Sequence, residues 1–334
     1  MRERTDDQLP WRDTAIVPVS VIIPNYNSGT YLEECIASIN GEAPPGEILV
    51  VDDVSSDGSL ALALDLAAEH ENVRVIRRAE NGGSAEARRT GLTAATYDWI
   101  AFVDADDYVE PNAVAIAYGT AVREACDLCI WPMWRSERGV ETPHLTPPSE
   151  AFPIRGREAV LLTLGEWKIP VLGVAKKEVY LRAYSGFQET SCNADELISR
   201  LALLNAGQVT TCDKKYFYRA NPSSSSRTLH SKRLGELESQ LWLIAFSERL
   251  SVGNRVMRKV VRSSIGNAWY LWSRRGEIGV PDTLEALRRY VDRLMRTGKV
   301  GPWILRWPKH AAALAAIGLH TRLTRQGGPS PDVR

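Results

Sequence analysis

The chain reads Trp99-Ile-Ala-Phe-Val-Asp-Ala-Asp-Asp107, an apolar run that ends in three closely spaced carboxylates. The run predicts a buried strand, which places the carboxylates at the carboxyl end of that strand. Three like charges this close repel one another, so at least one carboxyl should stay protonated unless a cation joins them. A hard divalent cation such as Mg²⁺ or Mn²⁺ meets that need, and it commonly shares its ligand shell with a substrate phosphate. A solvated acidic turn is the simpler alternative.

Strand and helix patterns alternate through the residues that precede this run. Short β-rich runs at 19–24, 47–52, 73–76 and 99–103 predict strands, and three-to-four spacing of apolar residues predicts helices at 31–39, 59–70 and 85–95. Strand-helix-strand repetition of this kind predicts right-handed βαβ units and a doubly wound α/β sheet.

Polar clusters follow the predicted strands, where the ligands of such sheets bind. Asn25-Tyr-Asn27 follows the first strand, Asp52-Asp53 the second and Asp104-Ala-Asp-Asp107 the fourth. The segment Asn81-Gly-Gly-Ser-Ala-Glu-Ala-Arg-Arg89 brings glycines to a helix start beside two guanidiniums, which suits an anionic ligand; a plain helix cap with surface arginines is the alternative. The chain lacks the glycine fingerprints of dinucleotide and P-loop sites, which argues against an NAD oxidoreductase and a P-loop kinase.

Composition sets the broad class. The 334 residues are 44% hydrophobic and 25% charged with a formal net charge of zero, which argues against a general nucleic-acid binder. This length allows one large α/β domain with an appendage, or two domains. The five cysteines are scattered through apolar sequence and are expected to be reduced core residues.

The termini bear on localisation. The charged N-terminus lacks the apolar core of a signal peptide, and no window reaches ~18 consecutive apolar residues, so a cytoplasmic protein is expected. From residue 288 to the end, ten Lys or Arg residues face two Asp or Glu, and Trp303 and Trp307 lie among them. Tryptophans beside basic residues suit peripheral contact with the inner face of a membrane. A helical appendage that packs on the catalytic domain, with its basic face solvated, is the favoured interpretation.

The second half of the chain is less regular. Its patterns predict a strand at 127–133, a loop at 134–153, a helix at 195–206, a strand at 214–218, a mobile loop at 221–226 and helices over 232–320. The expected domains are an N-terminal tail at 1–15, a catalytic domain at 16–225, a helical region at 226–326 and a disordered tail at 327–334.

Four motifs in register resemble those of a known family. They read Val21-Ile-Ile-Pro-Asn-Tyr-Asn27, Val50-Val-Asp-Asp-Val-Ser-Ser-Asp-Gly58, Asn81-Gly-Gly83 with Ala87-Arg88, and Phe102-Val-Asp-Ala-Asp-Asp-Tyr-Val-Glu-Pro111. In order and spacing they resemble the family 2 glycosyltransferases, over roughly residues 18–125. The resemblance implies a Rossmann-like GT-A catalytic domain with a helical C-terminal extension, as in bacterial capsule, cell-wall or secondary-metabolite members.

The resemblance also implies an activity. Such an enzyme moves a hexosyl or N-acetylhexosaminyl group from a nucleoside-diphosphate sugar, most often UDP-linked, to an acceptor hydroxyl or amine with inversion, using Mg²⁺ or Mn²⁺. Carried over by position, the donor-binding residues are Pro24, Tyr26, Asn27, Asp53, Gly83, Arg88, Asp104 and Arg227. Among them Asp53 would face the base and Asp104 would lie near the ribose and the metal. Asp106 would be the main metal ligand, while Asp107 would only support its neighbours.

The general base is expected at the start of a helix in the second half. The matching segment is Cys192-Asn-Ala-Asp-Glu-Leu-Ile-Ser-Arg-Leu201, in which Asp195 is the expected base and Glu196 the alternative. The segment departs from the family pattern because Ala194 replaces a Glu and the Asp-to-Arg spacing is one residue short. Arg89 also replaces a common Asn. A helix-capping role for Asp195 is the structural alternative.

The segment Tyr216-Phe-Tyr-Arg-Ala-Asn-Pro-Ser-Ser-Ser-Ser-Arg227 resembles the one that follows the catalytic domain in capsule- and cell-wall-type members. Its serines and arginines would close over the donor diphosphate as a lid, although a flexible linker fits the segment nearly as well. Two other functions stay open at this point. A sugar nucleotidyltransferase should carry a basic glycine-rich loop after the first strand, where this chain has Asn25-Tyr-Asn-Ser-Gly29. A catalytically impaired sugar-nucleotide-binding or scaffold subunit would account for the irregular base motif.

Overall fold

The computed structural model describes residues 16–29, 31–186, 194–220, 231–299, 312 and 314–317. Contacts group these residues into two compact units. Of the described residues, the larger unit holds 16–163, 167–186 and 198–220, and the smaller holds 164–166, 194–197 and those from 231 onward. The predicted tails, the loop at 221–226 and the domain boundary at 225–226 lie outside the described residues.

The larger unit contains all the strands of the described chain. They are β1 (Val17–Asn25), β2 (Pro45–Asp52), β3 (Val73–Arg77), β4 (Trp99–Phe102), β5 (Tyr108–Val109), β6 (Leu128–Ile130), β7 (Met133–Glu137), β8 (Val140–Leu145), β9 (Ile154–Arg155), β10 (Gly173–Lys176), β11 (Gln208–Thr211) and β12 (Tyr216–Arg219). The helices up to residue 205 are α1 (Tyr31–Ile39), α2 (Ser59–Glu69), α3 (Ser84–Ala94), α4 (Ala113–Arg123), α5 (Gly156–Leu161), α6 (Lys177–Ser185) and α7 (Ala194–Asn205).

The main sheet has the strand order β3-β2-β1-β4-β10-β6-β11-β9. Its first four strands are parallel and joined through helices, as the alternating pattern predicts. Beyond β4 the sheet is mixed, because β10 runs antiparallel to both β4 and β6. The predicted α/β architecture is therefore confirmed, with its parallel half formed by the first hundred residues.

Helices cover both faces of the parallel half, which explains why β1 is apolar on both sides. Val21 and Ile23 are fully buried in the same core cluster as Ile36 of α1. On the opposite face Ile22 meets α3 at Gly91, where a Cβ would come within 2.4 Å of the Ile22 side chain. This close approach needs glycine, and it holds α3 tightly against the strand whose end enters the site.

A smaller sheet of order β5-β12-β7-β8 contradicts part of the sequence prediction. Residues 134–153 were expected to form a loop, but β7 and β8 form a hairpin within them. The two-residue turn consists of Arg138 and Gly139, whose φ angles of 52° and 79° are those that tight hairpins require. The strand expected at 127–133 is also divided, since β6 ends at Ile130 and β7 begins in the other sheet.

The smaller unit is helical, as predicted. Beyond a 3₁₀ turn at Ser231–Leu234, it contains α8 (Gly235–Arg249), α9 (Asn254–Ser273), α10 (Arg275–Ile278) and α11 (Val280–Arg296). Ile265 of α9 and Leu287 of α11 are fully buried, and the Ser264 and Tyr290 hydroxyls are hydrogen-bonded between these helices. No helix in the described part of the chain is long and apolar enough to cross a membrane.

The four cysteines within the described residues are core residues, as expected from their apolar surroundings. Cys35, Cys126, Cys129 and Cys212 are buried free thiols. Burial raises the pKa of Cys126 to about 11, with the nearby acids Glu124 and Asp127 adding to the effect. Such thiols stay protonated and unreactive at neutral pH.

Candidate functional site

Three neighbouring strands of the main sheet end side by side, and predicted site residues follow each of them. β1 lies between β2 and β4, with Asn25 opposite Asp52 in the register. The loops that carry Asn27, Asp53 and Asp104 therefore leave the sheet at one edge. Open α/β sheets bind their ligands at this edge.

The loop after β1 leaves an aromatic ring open to solvent while its backbone is fixed. Tyr26 is 55% exposed, and Pro24 is half-buried at the end of β1. The Asn27 N–H donates to the Ser55 hydroxyl at 3.1 Å, and the Asn27 side-chain oxygen accepts from the Ser56 N–H at 2.7 Å. Asn27 thus joins the loops that follow β1 and β2, and Tyr26 remains available to a ligand.

The Asp53 carboxylate lies within the glycine loop. It is almost fully buried, accepts from the Gly82 N–H at 3.1 Å and the Gly83 N–H at 2.7 Å, and pairs with Arg78. Gly83 has a φ of 82° and precedes α3, a conformation that favours glycine. These contacts make Asp53 the residue that fixes the loop. Its predicted contact with a nucleoside base stays a prediction.

Val54, directly after Asp53, has a left-handed backbone with a φ of 67°. This conformation costs an L-residue about 1–2 kcal/mol, and β-branched side chains rarely adopt it. The strain lies at the tip of β2, within the loop cluster of the site. Strained backbone of this kind tends to gather at ligand-binding positions.

Val54→Gly is expected to change the free energy of unfolding by less than about 1 kcal/mol, because relief of the left-handed strain offsets both the entropy that glycine loses on folding and the burial lost with a half-buried side chain. Val51→Gly is the matched control: Val51 is fully buried in β2 and should lose about 3 kcal/mol. Urea unfolding of both variants provides the measurement. A loss of stability in Val54→Gly comparable to that of the control would contradict the strain argument.

Arg88 of α3 pairs with Asp104 at the end of β4. Its guanidinium is largely buried, donates to Asp104 Oδ1, and lies 5.7 Å from the centre of the Phe102 ring. The Asp104 side chain remains 34% exposed. An arginine beside one carboxylate lowers the local negative charge and fixes its orientation, while the rest of that carboxylate still reaches solvent.

The acidic turn is fastened to β12. The Tyr216 hydroxyl donates to Asp107 Oδ2 at 2.6 Å and accepts from the Asp104 N–H at 3.2 Å. The Arg219 N–H donates to Asp107 Oδ1 at 2.8 Å. Asp107 is therefore bound on both oxygens by the neighbouring strand, which agrees with a supporting role for it.

Electrostatics reflects the crowding of the three acids. Burial raises the pKa of Asp107 well above its usual range, and the charges of Asp104 and Asp106 raise it further. The hydrogen bonds from Tyr216 and Arg219 act in the opposite direction. The acids thus repel one another strongly in the absence of a counter-charge.

Arg219 joins the acidic turn to α1. Its Nε donates to the Asp106 backbone oxygen at 2.9 Å, and its guanidinium pairs with Glu34 at 2.8 Å. The same guanidinium lies 4.9 Å from the ring centres of both Tyr31 and Tyr108. These contacts fix the Arg219 side chain, whose positive charge lies directly beside the acidic turn.

The sequence did not predict the parts played by Tyr216, Arg219 and Arg78. A usable signal existed for two of them: Arg219 ends a strand directly before the serine-rich segment, and Arg78 directly follows β3, the strand beside β2. For Tyr216 no such signal exists, because a tyrosine within an apolar strand looks like an ordinary core residue.

The oxygens available for a cation come from two acids. Asp107 is engaged by Tyr216 and Arg219, whereas Asp104 and Asp106 are both partly exposed. Within the described ranges, no three His, Cys, Asp or Glu side chains are gathered to hold a metal ion by themselves. One or two carboxylates are nevertheless what Mg²⁺ uses when substrate phosphates complete its shell. The carboxylate oxygens of Asp104 and Asp106 therefore suit a cation that also binds a phosphate ligand.

The remaining predicted residues are less fully described. Helix α7 begins at Ala194, so Asp195 and Glu196 lie in its first turn, as expected for the predicted base. Glu196 is half-buried, and the side chain of Asp195 lies outside the described residues. Arg227 and the basic segment at 302–309 also lie outside them, so the lid and the membrane contact stay predictions.

Comparison with known protein families matches residues 20–169 to a family described as Glycosyl transferase family 2. The chain is 28% identical over 222 residues to the glycosyltransferase GlyG of Streptococcus pneumoniae serotype 4, covering 63% of this chain and 73% of GlyG. It is 30% identical over 230 residues to EpsJ of Bacillus subtilis, described as an uncharacterized glycosyltransferase, and covers 65% of each chain. The chain thus spans just under two thirds of the length of EpsJ.

A solved structure is similar over nearly the whole length. The crystal structure of S. aureus TarS residues 1–349 in complex with UDP-GlcNAc matches with a TM-score of 0.62 at 17% identity, covering 94% of this chain and 93% of that one. At this identity the likeness concerns the fold alone.

Proposed function

Because residues 20–169 match the family 2 glycosyltransferases and the chain has the GT-A fold expected from its sequence, we propose that it is a member of that family. As such it transfers a sugar from a UDP-linked donor to an acceptor hydroxyl or amine by single displacement with inversion. The observation that carries the proposal is the arrangement at the end of β4. There Asp104 and Asp106 present carboxylates to solvent, beside an arginine and at the same sheet edge as the loops after β1 and β2.

The donor would lie across the three strand ends. Tyr26 offers an exposed ring for the base, with Pro24 and Asn27 shaping the same loop. Gly83 brings the start of α3 close to the donor, where backbone N–H groups favour anionic groups. UDP as the nucleotide is supported by the fold that the chain shares with TarS, whose structure holds UDP-GlcNAc.

Asp104 and Asp106 would hold Mg²⁺ or Mn²⁺ together with the donor diphosphate. When bound, the cation would stabilise the negative charge that develops on the departing diphosphate. Arg88 holds Asp104 through Oδ1, and the Asp104 side chain is still 34% exposed, so it can reach a bound ligand. Arg227 and the serines before it would close over the diphosphate.

Inversion by single displacement needs one base and no protein nucleophile. Asp195 would take the proton from the acceptor group as that group attacks the anomeric carbon, with Glu196 as the alternative. The first turn of α7 suits this task, because the helix N-terminus stabilises the ionised carboxylate that a base needs.

Tyr216→Phe is expected to raise the Mn²⁺ concentration for half-maximal turnover about tenfold, since groups that orient metal ligands commonly have effects of this size. The variant removes the hydroxyl that binds both Asp107 and the Asp104 N–H. Tyr290→Phe is the matched control, because Tyr290 is an equally buried tyrosine whose hydroxyl is hydrogen-bonded to Ser264, within the helical unit. A Mn²⁺ requirement that changes equally in both variants would point to general destabilisation.

Calorimetric titration with UDP, GDP and dTDP, each with Mn²⁺ and with a chelator, tests the proposed donor site. UDP should bind most tightly, and the chelator should weaken its binding at least tenfold. Preference for another nucleotide would correct the donor. If the chelator left the affinity for UDP unchanged, the metal would have no part in donor binding. If UDP bound but a separate assay found no sugar transfer, a scaffold subunit would be favoured.

A further inference from the structure

Helix α9 has an unusual charge distribution. Its 20 residues include four cations, Arg255, Arg258, Lys259 and Arg262, and no Asp or Glu. Exposed helices normally mix both signs along the surface, because opposite charges three or four residues apart stabilise them. A helix with only positive side chains lacks this stabilisation. Negative groups that balance its charge must therefore come from outside the helix.

The cations lie on the side of α9 that faces away from the core. Its buried residues include Val260, Val261 and Ile265, which form a stripe along the opposite side. Arg255 and Arg262 are exposed and seven residues apart, which places them on one face about 10 Å from each other. Trp269 continues the same row by another seven residues and is 40% exposed.

The four cations differ in their contacts. Lys259 pairs with Glu166 at 2.7 Å, and Arg258 donates to the Asn254 backbone oxygen at 3.3 Å. The side chains of Arg255 and Arg262, by contrast, make no hydrogen bond or ion pair with any residue in the described part of the chain. Their guanidiniums are therefore available to an external anion.

Aromatic rings continue the row at its C-terminal end. Trp269 and Tyr270 are both about two-fifths exposed, and Trp269 stacks on Trp272 with ring centres 4.6 Å apart. The stacking holds the Trp269 ring in place with part of its surface open to solvent. Exposed, immobilised aromatic rings suit the flat faces of ligand rings at low entropic cost.

We propose that this face of α9, defined by Arg255, Arg258, Arg262 and Trp269, binds an anionic polysaccharide, which makes the acceptor a polyanionic glycan chain. The proposal rests on the proposed glycosyl transfer. Guanidiniums spaced along a line match the repeating carboxylates or phosphates of a linear polymer, and the tryptophan matches its sugar rings.

Two other occupants fit less well. Helices that lie on membranes insert an apolar face, but the apolar face of α9 is buried within its own unit. Residues 300–334 carry five Lys or Arg against one Asp, so this segment has the same sign of charge as the α9 face. Repulsion between like charges disfavours binding of residues 300–334 to the α9 face.

Binding of dextran sulfate, compared with neutral dextran of the same length, tests the proposal in the full chain. The wild-type protein should bind only the sulfated polymer, with an affinity that falls steeply with salt. The triple variant Arg255→Gln, Arg258→Gln and Arg262→Gln should bind it at least tenfold more weakly. Trp269→Ala should weaken dextran sulfate binding about fivefold but leave inorganic polyphosphate binding unchanged, because polyphosphate has no rings.

Controls separate this proposal from the proposed function. Arg289→Gln, Arg293→Gln and Arg296→Gln on α11 change the net charge equally and should leave polymer binding within twofold. UDP binding should be unchanged in both triple variants. If the wild-type protein itself did not bind UDP, the proposed donor site would be wrong, whereas the α9 proposal would still be decided by polymer binding. The proposal would be overturned if the α9 triple variant bound dextran sulfate as tightly as the wild type. It would also be overturned if the wild type floated with phosphatidylglycerol vesicles and the α9 triple variant did not.

Discussion

Asp195→Asn is expected to lower kcat about a thousandfold, the range that loss of a general base commonly produces. Asparagine has nearly the same shape but accepts no proton at neutral pH. Donor affinity should stay within about twofold, since the proposed donor contacts lie on other loops. The measurement is the rate of UDP release with a saturating acceptor, beside calorimetric binding of UDP.

The same substitution distinguishes a base from a residue that only stabilises the helix. Because α7 begins at Ala194, Asp195 lies in its first turn, where its charge favours the helix N-terminus. If Asp195 were purely structural, the change to asparagine would cost about 0.3–1 kcal/mol of stability and leave turnover unchanged. Glu196→Gln serves as the matched variant on the next residue. Full turnover in Asp195→Asn with a thousandfold loss in Glu196→Gln would transfer the role of base to Glu196.

Asp106→Ala is expected to lower turnover by about three orders of magnitude and to make UDP binding insensitive to Mn²⁺. The reason is electrostatic, because stabilisation of the charge that develops in the transition state usually contributes more to catalysis than any other effect. The variant should remain folded, since Asp106 is half-exposed and its removal relieves part of the repulsion that raises the pKa of Asp107.

Asp65→Ala is a suitable control, because Asp65 is an exposed acid on α2 and its loss changes the net charge equally. It should leave turnover and the Mn²⁺ requirement unchanged. If Asp106→Ala retained full Mn²⁺-dependent activity, the metal ligand would have to be sought outside the acidic turn.

Sequence patterns were sufficient for the parallel half of the fold. The predicted helix at 31–39 matches α1 in both bounds, and the four predicted strands match β1 to β4 within two residues. These elements have strong periodicity and local connections, so the residues that determine them are close in the chain. The order in which polar loops follow the strands then places the site at one sheet edge.

The hairpin of β7 and β8 escaped prediction for a physical reason. Prolines within 134–153 argue against strands in general, but Pro143 lies in β8, at the edge of its sheet, where a missing N–H is tolerated. The strand alternation is also weak, because five of the six β8 residues are exposed. Only the glycine at 139 gave a turn signal.

Within the site, the residue types were predictable but their contacts were not. Asp107 meets Tyr216 and Arg219 across more than a hundred residues of chain, a separation that no local pattern reports. The contact of Asp53 with a nucleoside base stays a prediction, but its role in fixing the glycine loop through two N–H groups and Arg78 was not foreseen. Such pairings arise only when the sheets bring distant segments together.

Metal-dependent sugar transfer is measured most simply as UDP release by the wild-type protein from a panel of UDP-sugars, in the presence of Mn²⁺ and again with excess chelator. At least one UDP-sugar should be consumed with Mn²⁺, and the chelator should lower the rate at least a hundredfold. Equal rates with and without the cation, or consumption of no UDP-sugar under either condition, would rule out a metal-dependent UDP-sugar transferase.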